Sequence, residues 1–420
     1  MRISHLAALM VFLLSFASVA SALELSGQSN TYLQSRETTD STRLLPLYEY
    51  LNFKAENLGS QNISFHFGGW YRYDLQNESF GTKSTGDLQY AYLSYKPDKG
   101  NAVLNLGRLF VNEGVASEQV DGVFGRTDLL GGFTVAAFGG SPVETDFDTR
   151  TGDSAYGGRI SQGLYEVYRI GFSYLLEKNN SADYRKEEGV DLWFRPLNKV
   201  ELLGSSFYNA INSAWMKQTY FLTLGPFSIV SFRTEFTKIS YKDYFTSFTT
   251  SAFKFDPATN GIDPNEKLST IGEEVSFNLG KTILSADYKK YSYDIAGDAS
   301  YYGGKLTYAG VQNIGAGLSV HRMDGQTDDL KYYEYRLYGY KRFEKIDFTV
   351  DLLTVAYDLE INGIKNAYSA SLAGGYALSA KARLAADVEY AKDPFFDKDV
   401  RGLVKFVYNF DIEPGTKGRK

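Results

Sequence analysis

The sequence predicts an all-β protein: a large antiparallel transmembrane β-barrel of the outer membrane, with about 22 strands and no plug domain. Three observations lead to this fold class. Apolar and polar residues alternate over residues 23–410, tight turns alternate with longer polar connections, and no stretch has a competing helical period. A soluble protein can bury one face of one sheet, but lipid is needed to cover an apolar stripe repeated around a continuous sheet. We therefore expect a closed barrel.

Residues 1–22 have the features of a secretory signal peptide. A basic residue, Arg2, precedes an apolar run over residues 6–16, and Ala20-Ser21-Ala22 forms a small-residue cleavage site. We expect cleavage after Ala22, a barrel over residues 23–410 and a periplasmic tail over residues 411–420. The first strand is predicted over residues 25–34, which leaves no room for an N-terminal plug.

The composition fits an outer-membrane barrel and argues against several other classes. The 420 residues include 33 Tyr and 40 Gly, which suits aromatic girdles and tight turns. No later segment approaches the roughly 18 apolar residues of a membrane-spanning helix, so export and strands together indicate the outer membrane of a Gram-negative bacterium. The net charge of −6 gives no basic field for nucleic acid. Because the chain has no Cys, we expect neither disulfides nor covalent haem, and we predict no cofactor and no metal.

The connections fall into two classes that alternate along the chain. Tight turns are predicted at residues 58–61, 97–100, 130–132, 196–199, 225–226, 280–281, 344–345 and 379–380. Longer polar connections are predicted at residues 36–43, 76–86, 112–118, 140–154, 178–187, 241–269 and 391–397. Barrels of this kind have short periplasmic turns and long extracellular loops, so we expect both termini in the periplasm.

The last predicted strand, residues 401–410, shows the two rows of side chains most clearly. Val404, Phe406 and Tyr408 fall on one face, whereas Arg401 and Lys405 fall on the other. We expect this strand to pair with the first strand, because that pairing removes the open edge of the sheet.

Residues 102–111 alternate least clearly. Turning Arg108 toward the lumen also turns Leu104 and Leu106 inward, which is unfavourable in a water-filled barrel. The pattern predicts a β-bulge or a different strand boundary at this place.

The inward row of the predicted barrel carries charges of both signs. We predict pore-lining residues at Arg72, Asp74, Arg108, Arg159, Arg169, Arg195, Arg233, Glu235, Lys305, Arg336, Asp351, Arg383 and Asp387. A ring of one sign selects ions, whereas a mixed lining gives a hydrated wall with mild selectivity. In the alternative interpretation many of these side chains pair across strands and stiffen the wall.

The longest predicted loop, residues 241–269, contains four phenylalanines: Phe245, Phe248, Phe253 and Phe255. Exposed phenylalanine is unfavourable, so the loop is expected to pack either into the lumen or against neighbouring loops as a lid. We predict that these four residues form a constriction loop.

The sequence does not indicate an enzyme. Beyond the signal peptide, His66 and His321 are the two histidines, and no Gly-x-Ser-x-Gly or His-Glu-x-x-His motif is present. We expect no catalytic residues. A Ser/His hydrolase of the outer membrane is the alternative, and it would require one of these histidines beside an exposed serine.

Two short motifs, Asn105-Leu106-Gly107-Arg108 and Asp121-Gly122-Val123, resemble those of bacterial outer-membrane porins. The Tyr-rich strands and the plug-free barrel are similar to porin-like proteins of metal-reducing deltaproteobacteria. The resemblance implies that Arg108 is a lumen residue. It also implies two functions: a channel for passive diffusion of ions or small polar solutes, or a sheath that holds a periplasmic multihaem cytochrome across the membrane. The partners expected are outer-membrane lipid, the solute, that cytochrome for the sheath, and for either function a homo-oligomer.

Overall fold

The computed structural model describes residues 24–38, 41–79, 81–143, 152–164, 166–245, 263–310, 313–396 and 398–412. Its strands are β1 (Glu24–Glu37), β2 (Arg43–Leu44), β3 (Pro46–Glu56), β4 (Ile63–Asp74), β5 (Ser84–Tyr95), β6 (Val103–Glu113), β7 (Ala116–Asp128), β8 (Phe133–Pro142), β9 (Ser154–Leu164), β10 (Tyr168–Asn179), β11 (Ala182–Leu197), β12 (Val200–Asn209), β13 (Ala214–Phe227), β14 (Val230–Ser240), β15 (Lys267–Asn278), β16 (Thr282–Tyr293), β17 (Gly297–Ala309), β18 (Ile314–Asp324), β19 (Lys331–Arg342), β20 (Ile346–Ile361), β21 (Ile364–Ala377), β22 (Ala382–Lys392) and β23 (Asp399–Ile412).

The sheet closes on itself. Strand β1 pairs antiparallel with β3 on one side and with β23 on the other, and the remaining strands pair with their neighbours in sequence. The two-residue strand β2 only extends the tip of β1, so 22 strands form the wall. The predicted closed antiparallel barrel is therefore confirmed, with the last strand running to Ile412.

Side chains along each strand alternate between an outer row and an inner row. The strand registers keep each row on the same side of the sheet all around the barrel. At the closure, for example, Phe406 lies opposite Leu384 on β22 and opposite Thr31 on β1. Large apolar side chains that are exposed, such as Phe172 and Leu318, belong to the outer row. This exposed apolar surface is what lipid covers, and the fold is that of a bacterial outer-membrane barrel.

Helical structure is minor in the described part of the chain. It consists of a single-turn helix, Tyr241–Phe245, and 3-10 turns at Leu130–Gly132 and Asp328–Leu330. Among the described residues no helix is both long enough and apolar enough to cross a membrane. Of the predicted constriction loop, Phe245 ends the single-turn helix, while Phe248, Phe253 and Phe255 lie outside the described residues.

Two connections predicted as long loops are tight turns instead. Strands β6 and β7 are joined by Gly114 and Val115 alone, and β10 and β11 by Asn180 and Ser181. Both Asn180 and Ser181 have positive φ, the conformation of a two-residue hairpin turn whose twist matches the strands. The prediction was wrong because polar side chains on the upper strands were taken for loop residues.

One hairpin separates from the barrel wall on its β5 side, while β7 stays paired with β8 up to Val120. Strand β6 pairs with β5 only from Leu104 to Arg108, so the upper half of β5 has no described partner on that side. Above this point β6 and β7 stay paired with each other. Residues 109–120 bend into the lumen, and we call this segment the inward hairpin. The predicted bulge is not seen in the β6 pairings, because the strand leaves its neighbour without a register shift.

Two paired glycines permit the bend. Gly107 lies opposite Gly122, and it has a φ of +134°, which L side chains rarely adopt. A Cβ at Gly122 would lie 2.1 Å from the carbonyl oxygen of Gly139. The hairpin turns inward at the level where side chains are absent from both strands.

We predict that Gly122→Val destabilises the barrel, because its Cβ meets backbone atoms that cannot move aside. The free energy of unfolding should fall by about 1–3 kcal/mol or more, measured by urea titration of the protein in lipid vesicles. Gly125→Ala on the same strand is the control, since a Cβ there meets nothing nearer than 3.8 Å. Equal stability of the two variants would contradict the close packing at the bend.

A loop carboxylate joins two connections at the same end of the barrel. Glu266, just before β15, accepts hydrogen bonds from the backbone N–H groups of Ile295 (3.0 Å) and Ala296 (2.8 Å) in the turn between β16 and β17, and from that of Lys267 (2.8 Å). Burial alone raises the pKa of Glu266, but these backbone donors outweigh it and lower the pKa below its ordinary value.

We predict that Glu266→Gln loosens the turn at residues 294–296, because a carboxamide cannot accept from all three donors. Amide hydrogen exchange there should become about tenfold faster at neutral pH. Since the folded-state pKa is lowered, the stabilisation is complete above the unfolded-state pKa and is lost as pH falls through the folded-state value. The difference between variant and wild type should therefore vanish in acid. A difference that persists there would mean that the charge of Glu266 is not the cause.

Candidate functional site: the barrel lumen

Most predicted pore-lining residues lie on the inner row. The strand registers place there Arg72, Asp74, Arg159, Arg169, Arg195, Arg233, Glu235, Lys305, Arg336, Asp351, Arg383 and Asp387. They belong to strands spread around the barrel, so the lumen as a whole, rather than one strand, carries the charges.

Many of these charges are held by partners across the sheet. Arg159 forms two hydrogen bonds to Asp191 of 2.8 and 2.6 Å. Arg336 pairs with Asp351, a direct contact between β19 and β20. Such bidentate pairs fix both side chains against the wall and leave little net field. At these positions the wall is stiffened and each charge lies beside its counter-charge.

Other cations lie over aromatic rings. The Arg233 guanidinium is 4.9 Å from the ring centre of Phe221, and the Lys305 ammonium is 5.6 Å from that of Tyr338. The ring quadrupole attracts the cation and holds it close to the wall.

Arg108 lies on the outer row, with Leu104 and Leu106, at the root of the inward hairpin. It forms hydrogen bonds of 2.8 and 2.9 Å with Asp121 and donates to the carbonyl oxygen of Leu88 at 3.1 Å. Leu88 belongs to the part of β5 that β6 has left, so Arg108 satisfies a backbone acceptor at the break in the wall.

An apolar cluster fixes the inward hairpin to the inner wall. From the hairpin it contains Leu109, Val111, Val115, Ala116 and Val120, and from the wall Phe138, Ala155 and Leu175. All eight side chains are buried, although the inner row of a wide barrel normally faces water. Covering them removes apolar surface from water and stabilises the folded-in position. Phe110, on the opposite face of the hairpin, is 60% exposed.

Ionic contacts add to this attachment. Arg185 on β11 is buried among three carboxylates, 2.6 Å from Glu118, 2.8 Å from Glu187 and 3.3 Å from Glu177. Of these, Glu118 belongs to the hairpin and the others to the wall. A buried cation that is shared in this way links the two elements, because moving the hairpin away would separate Glu118 from Arg185.

The tip of the hairpin reaches deep into the lumen. The backbone N–H of Val115 donates to the Ser173 hydroxyl at 2.8 Å, and Glu113 lies 3.2 Å from Arg126 near the other end of β7. Glu113 lies opposite Ala116 in the hairpin, and ten residues of straight strand would place Ala116 about 33 Å from Arg126. The contact between Glu113 and Arg126 therefore requires the hairpin to fold back. The structure therefore narrows the lumen with a β-hairpin, a feature that the sequence pattern did not reveal.

One histidine does lie beside a serine. The Ser64 hydroxyl is 3.0 Å from Nε2 of His66, and the imidazole stacks on Tyr92 with ring centres 4.7 Å apart. Ser64 is half-buried, and among the described residues no carboxylate hydrogen-bonds His66. His321 instead contacts Asp287 at 3.0 Å. The pairs are separate, so neither forms a Ser-His-Asp arrangement.

The class of protein that this geometry defines is a closed outer-membrane β-barrel with a partly occluded lumen. The sequence matches no protein-family model, and no curated protein matches it. The resemblance to deltaproteobacterial porin-like proteins therefore stays a prediction.

Solved structures similar to this chain include outer-membrane proteins and a pilus usher pore. The siderophore receptor PirA from Pseudomonas aeruginosa has 11% identity and a TM-score of 0.59, covering 92% of this chain and 80% of the receptor chain. The P pilus usher (PapC) translocation pore has 10% identity and a TM-score of 0.52, covering 93% of this chain and all of the usher chain. The outer membrane protein OpdK of Pseudomonas aeruginosa overlaps less well, with 9% identity and a TM-score of 0.43 over 93% of this chain and 99% of its own. At these identities the likeness shows the fold alone.

We predict that Arg185→Met releases the inward hairpin, because three carboxylates then share a dry site without their cation. Removing one member of a buried ionic cluster costs about 3–5 kcal/mol. A Glu-specific protease should then cut at Glu113 or Glu118, which are buried in the wild type. Arg169→Met on the adjacent strand is the matched control, since Arg169 is an exposed lumen residue. If both variants resist the protease equally, the ionic cluster does not hold the hairpin.

Proposed function

We propose that the protein is an outer-membrane porin: a water-filled channel for passive diffusion of ions or small polar solutes, without enzymatic activity. The observation that carries this proposal is the inward hairpin within a closed barrel whose wall is polar inside. A barrel wall alone sets a wide bore, and an element attached to its inner face reduces that bore to a size that selects among solutes.

The paired charges support weak ion selectivity. Cation and carboxylate side chains on the inner row neutralise one another within hydrogen-bonding distance, so an ion meets alternating fields rather than a ring of one sign. We expect potassium and chloride permeabilities that differ by no more than a few-fold.

The cytochrome sheath is the weaker proposal. A sheath needs a clear bore for a folded haem protein, whereas the inward hairpin occupies part of the lumen and is attached by both apolar and ionic contacts. A periplasmic cytochrome partner would have to displace this element or bind beside it. The interaction with such a partner and the formation of a homo-oligomer remain proposals of lower weight.

Removing the hairpin tests the channel proposal directly. Arg108 and Asp121 lie opposite each other, so residues 109–120 can be replaced by Asn-Gly, which closes a tight turn between them. We predict that single-channel conductance in a planar bilayer rises several-fold, because the element that narrows the lumen is gone.

The matched control shortens a hairpin that stays in the wall. Ala356 and Asn366 are also opposite partners, and replacing residues 357–365 by Asn-Gly leaves the lumen unchanged. Its conductance should equal that of the wild type. An unchanged conductance after removal of residues 109–120 would show that this hairpin is not the constriction. Insertion without open steps, together with a haem protein that co-purifies, would favour the sheath.

A further inference from the structure

One sector of the lumen differs chemically from the rest. The inner rows of β1, β3 and β5 bring together Asn30, Tyr32, Tyr48, Tyr50, Asn52 and Tyr90, which we call the amide–tyrosine patch. They line a concave space of about 530 Å³. The other residues around this space are Gln34, Leu51, Gly69 and Gln89, so no charged side chain lines it. A space of this volume is large enough for a small solute or a short chain of sugar rings.

Three tyrosine rings cluster on one side of this space. Tyr48 and Tyr50 follow each other along β3, with ring centres 6.2 Å apart and planes inclined by only 21°. Tyr32 stands edge-on to Tyr50, with ring centres 5.5 Å apart and an interplanar angle of 86°. Two nearly parallel rings, with a third edge-on to one of them, give the space an aromatic border that a weakly polar face can contact.

Hydrogen-bonding groups without charge border these rings. Asn30 donates to Gln28 at 2.8 Å, and Gln28 donates to Asn409 at 2.8 Å, which gives a ladder of primary amides beside the patch. Each primary amide has two donor hydrogens and an acceptor oxygen, so the ladder keeps capacity for further hydrogen bonds.

A nearby sector of the wall, on β19 to β22, shows the contrast. There a space of about 400 Å³ is lined by Glu334, Arg336, Asp351 and Glu389 among others, and suits charged solutes or ions. At the edge of the amide–tyrosine patch, the Lys405 ammonium lies 4.9 Å from the centre of the Tyr32 ring. This cation–π contact holds the positive charge against the ring.

We propose that the amide–tyrosine patch is a binding subsite for neutral saccharides that pass through the channel. A pyranose ring presents an apolar C–H face and a rim of hydroxyl groups that donate and accept. The tyrosine rings can contact the C–H face, and the amides can hydrogen-bond to the hydroxyl groups. An ion would find no counter-charge here, and an apolar ligand would leave the amides without partners. This inference deepens the proposed channel function by naming a solute class, and it rests on that function.

Binding can be measured without relying on conductance. Trp70 lies opposite Tyr50 on the inner row, so its fluorescence should report an occupied patch. Maltotriose and maltohexaose are titrated against the full-length protein in detergent, and saturable changes are expected that disappear in Trp70→Phe. No saturable change up to the solubility limit of either sugar would overturn the proposal.

Paired variants locate the site. Tyr48→Ala combined with Tyr50→Ala should raise the dissociation constant by about tenfold or more, whereas Tyr48→Phe with Tyr50→Phe keeps the rings and should stay within a few-fold. Tyr338→Ala, a lumen tyrosine of the charged sector, is the matched control and should bind as the wild type. An equal loss in Tyr338→Ala would overturn the assignment. If the double alanine variant does not fold, Asn52→Leu takes its place, with a several-fold loss expected.

Conductance then separates the two proposals. In an open channel, maltohexaose should block the current with a half-blocking concentration close to the dissociation constant. Binding without any open channel would reject the diffusion function while keeping the subsite. An open channel with neither block nor binding would reject the subsite alone.

Discussion

The pairing of β1 with β23 is the constraint on which the rest of the molecule depends. In lipid no water can satisfy a backbone N–H or C=O group, so an open sheet edge inside the membrane would cost several kcal/mol per group. Closure satisfies these groups around the whole circumference. It also fixes the alternation of side chains, because one register carried around 22 strands determines which residue of every strand faces lipid and which faces the lumen.

The inward hairpin partly breaks this rule. By leaving β5 it exposes backbone acceptors, and two of them are satisfied by side chains: Leu88 accepts from Arg108, and Gln89 accepts from Gln119 at 2.6 Å. The folded-in position is held by a buried apolar cluster and by the Arg185 cluster. A local loss of ladder hydrogen bonds is thus offset by burial that a wide, water-filled barrel cannot otherwise provide.

Sequence reasoning predicted the features that depend on the two-residue alternation of side chains along a strand. It gave the barrel, the strand number and the inner-row position of residues such as Arg159 and Asp387, because these follow from local alternation. It missed the hairpin, since Val115 meets Ser173 across 58 positions and no local pattern encodes that contact. The weak alternation around Arg108 was the available signal. It marked the place where the strand leaves the wall, and the nearby Gly107 and Gly122 permit the bend.

The two ways of filling the inner row have different physical consequences. In the sector of Arg336 and Asp351 these two side chains form an ion pair across neighbouring strands, and Glu334 and Glu389 add further charge to the lining. In the sector of Tyr48 and Tyr50 the rings and amides are neutral, and neutral amides retain donors and acceptors after bonding to one another. For the proposed saccharide subsite, affinity would therefore come from shape and from unused hydrogen-bonding groups rather than from a field of charges.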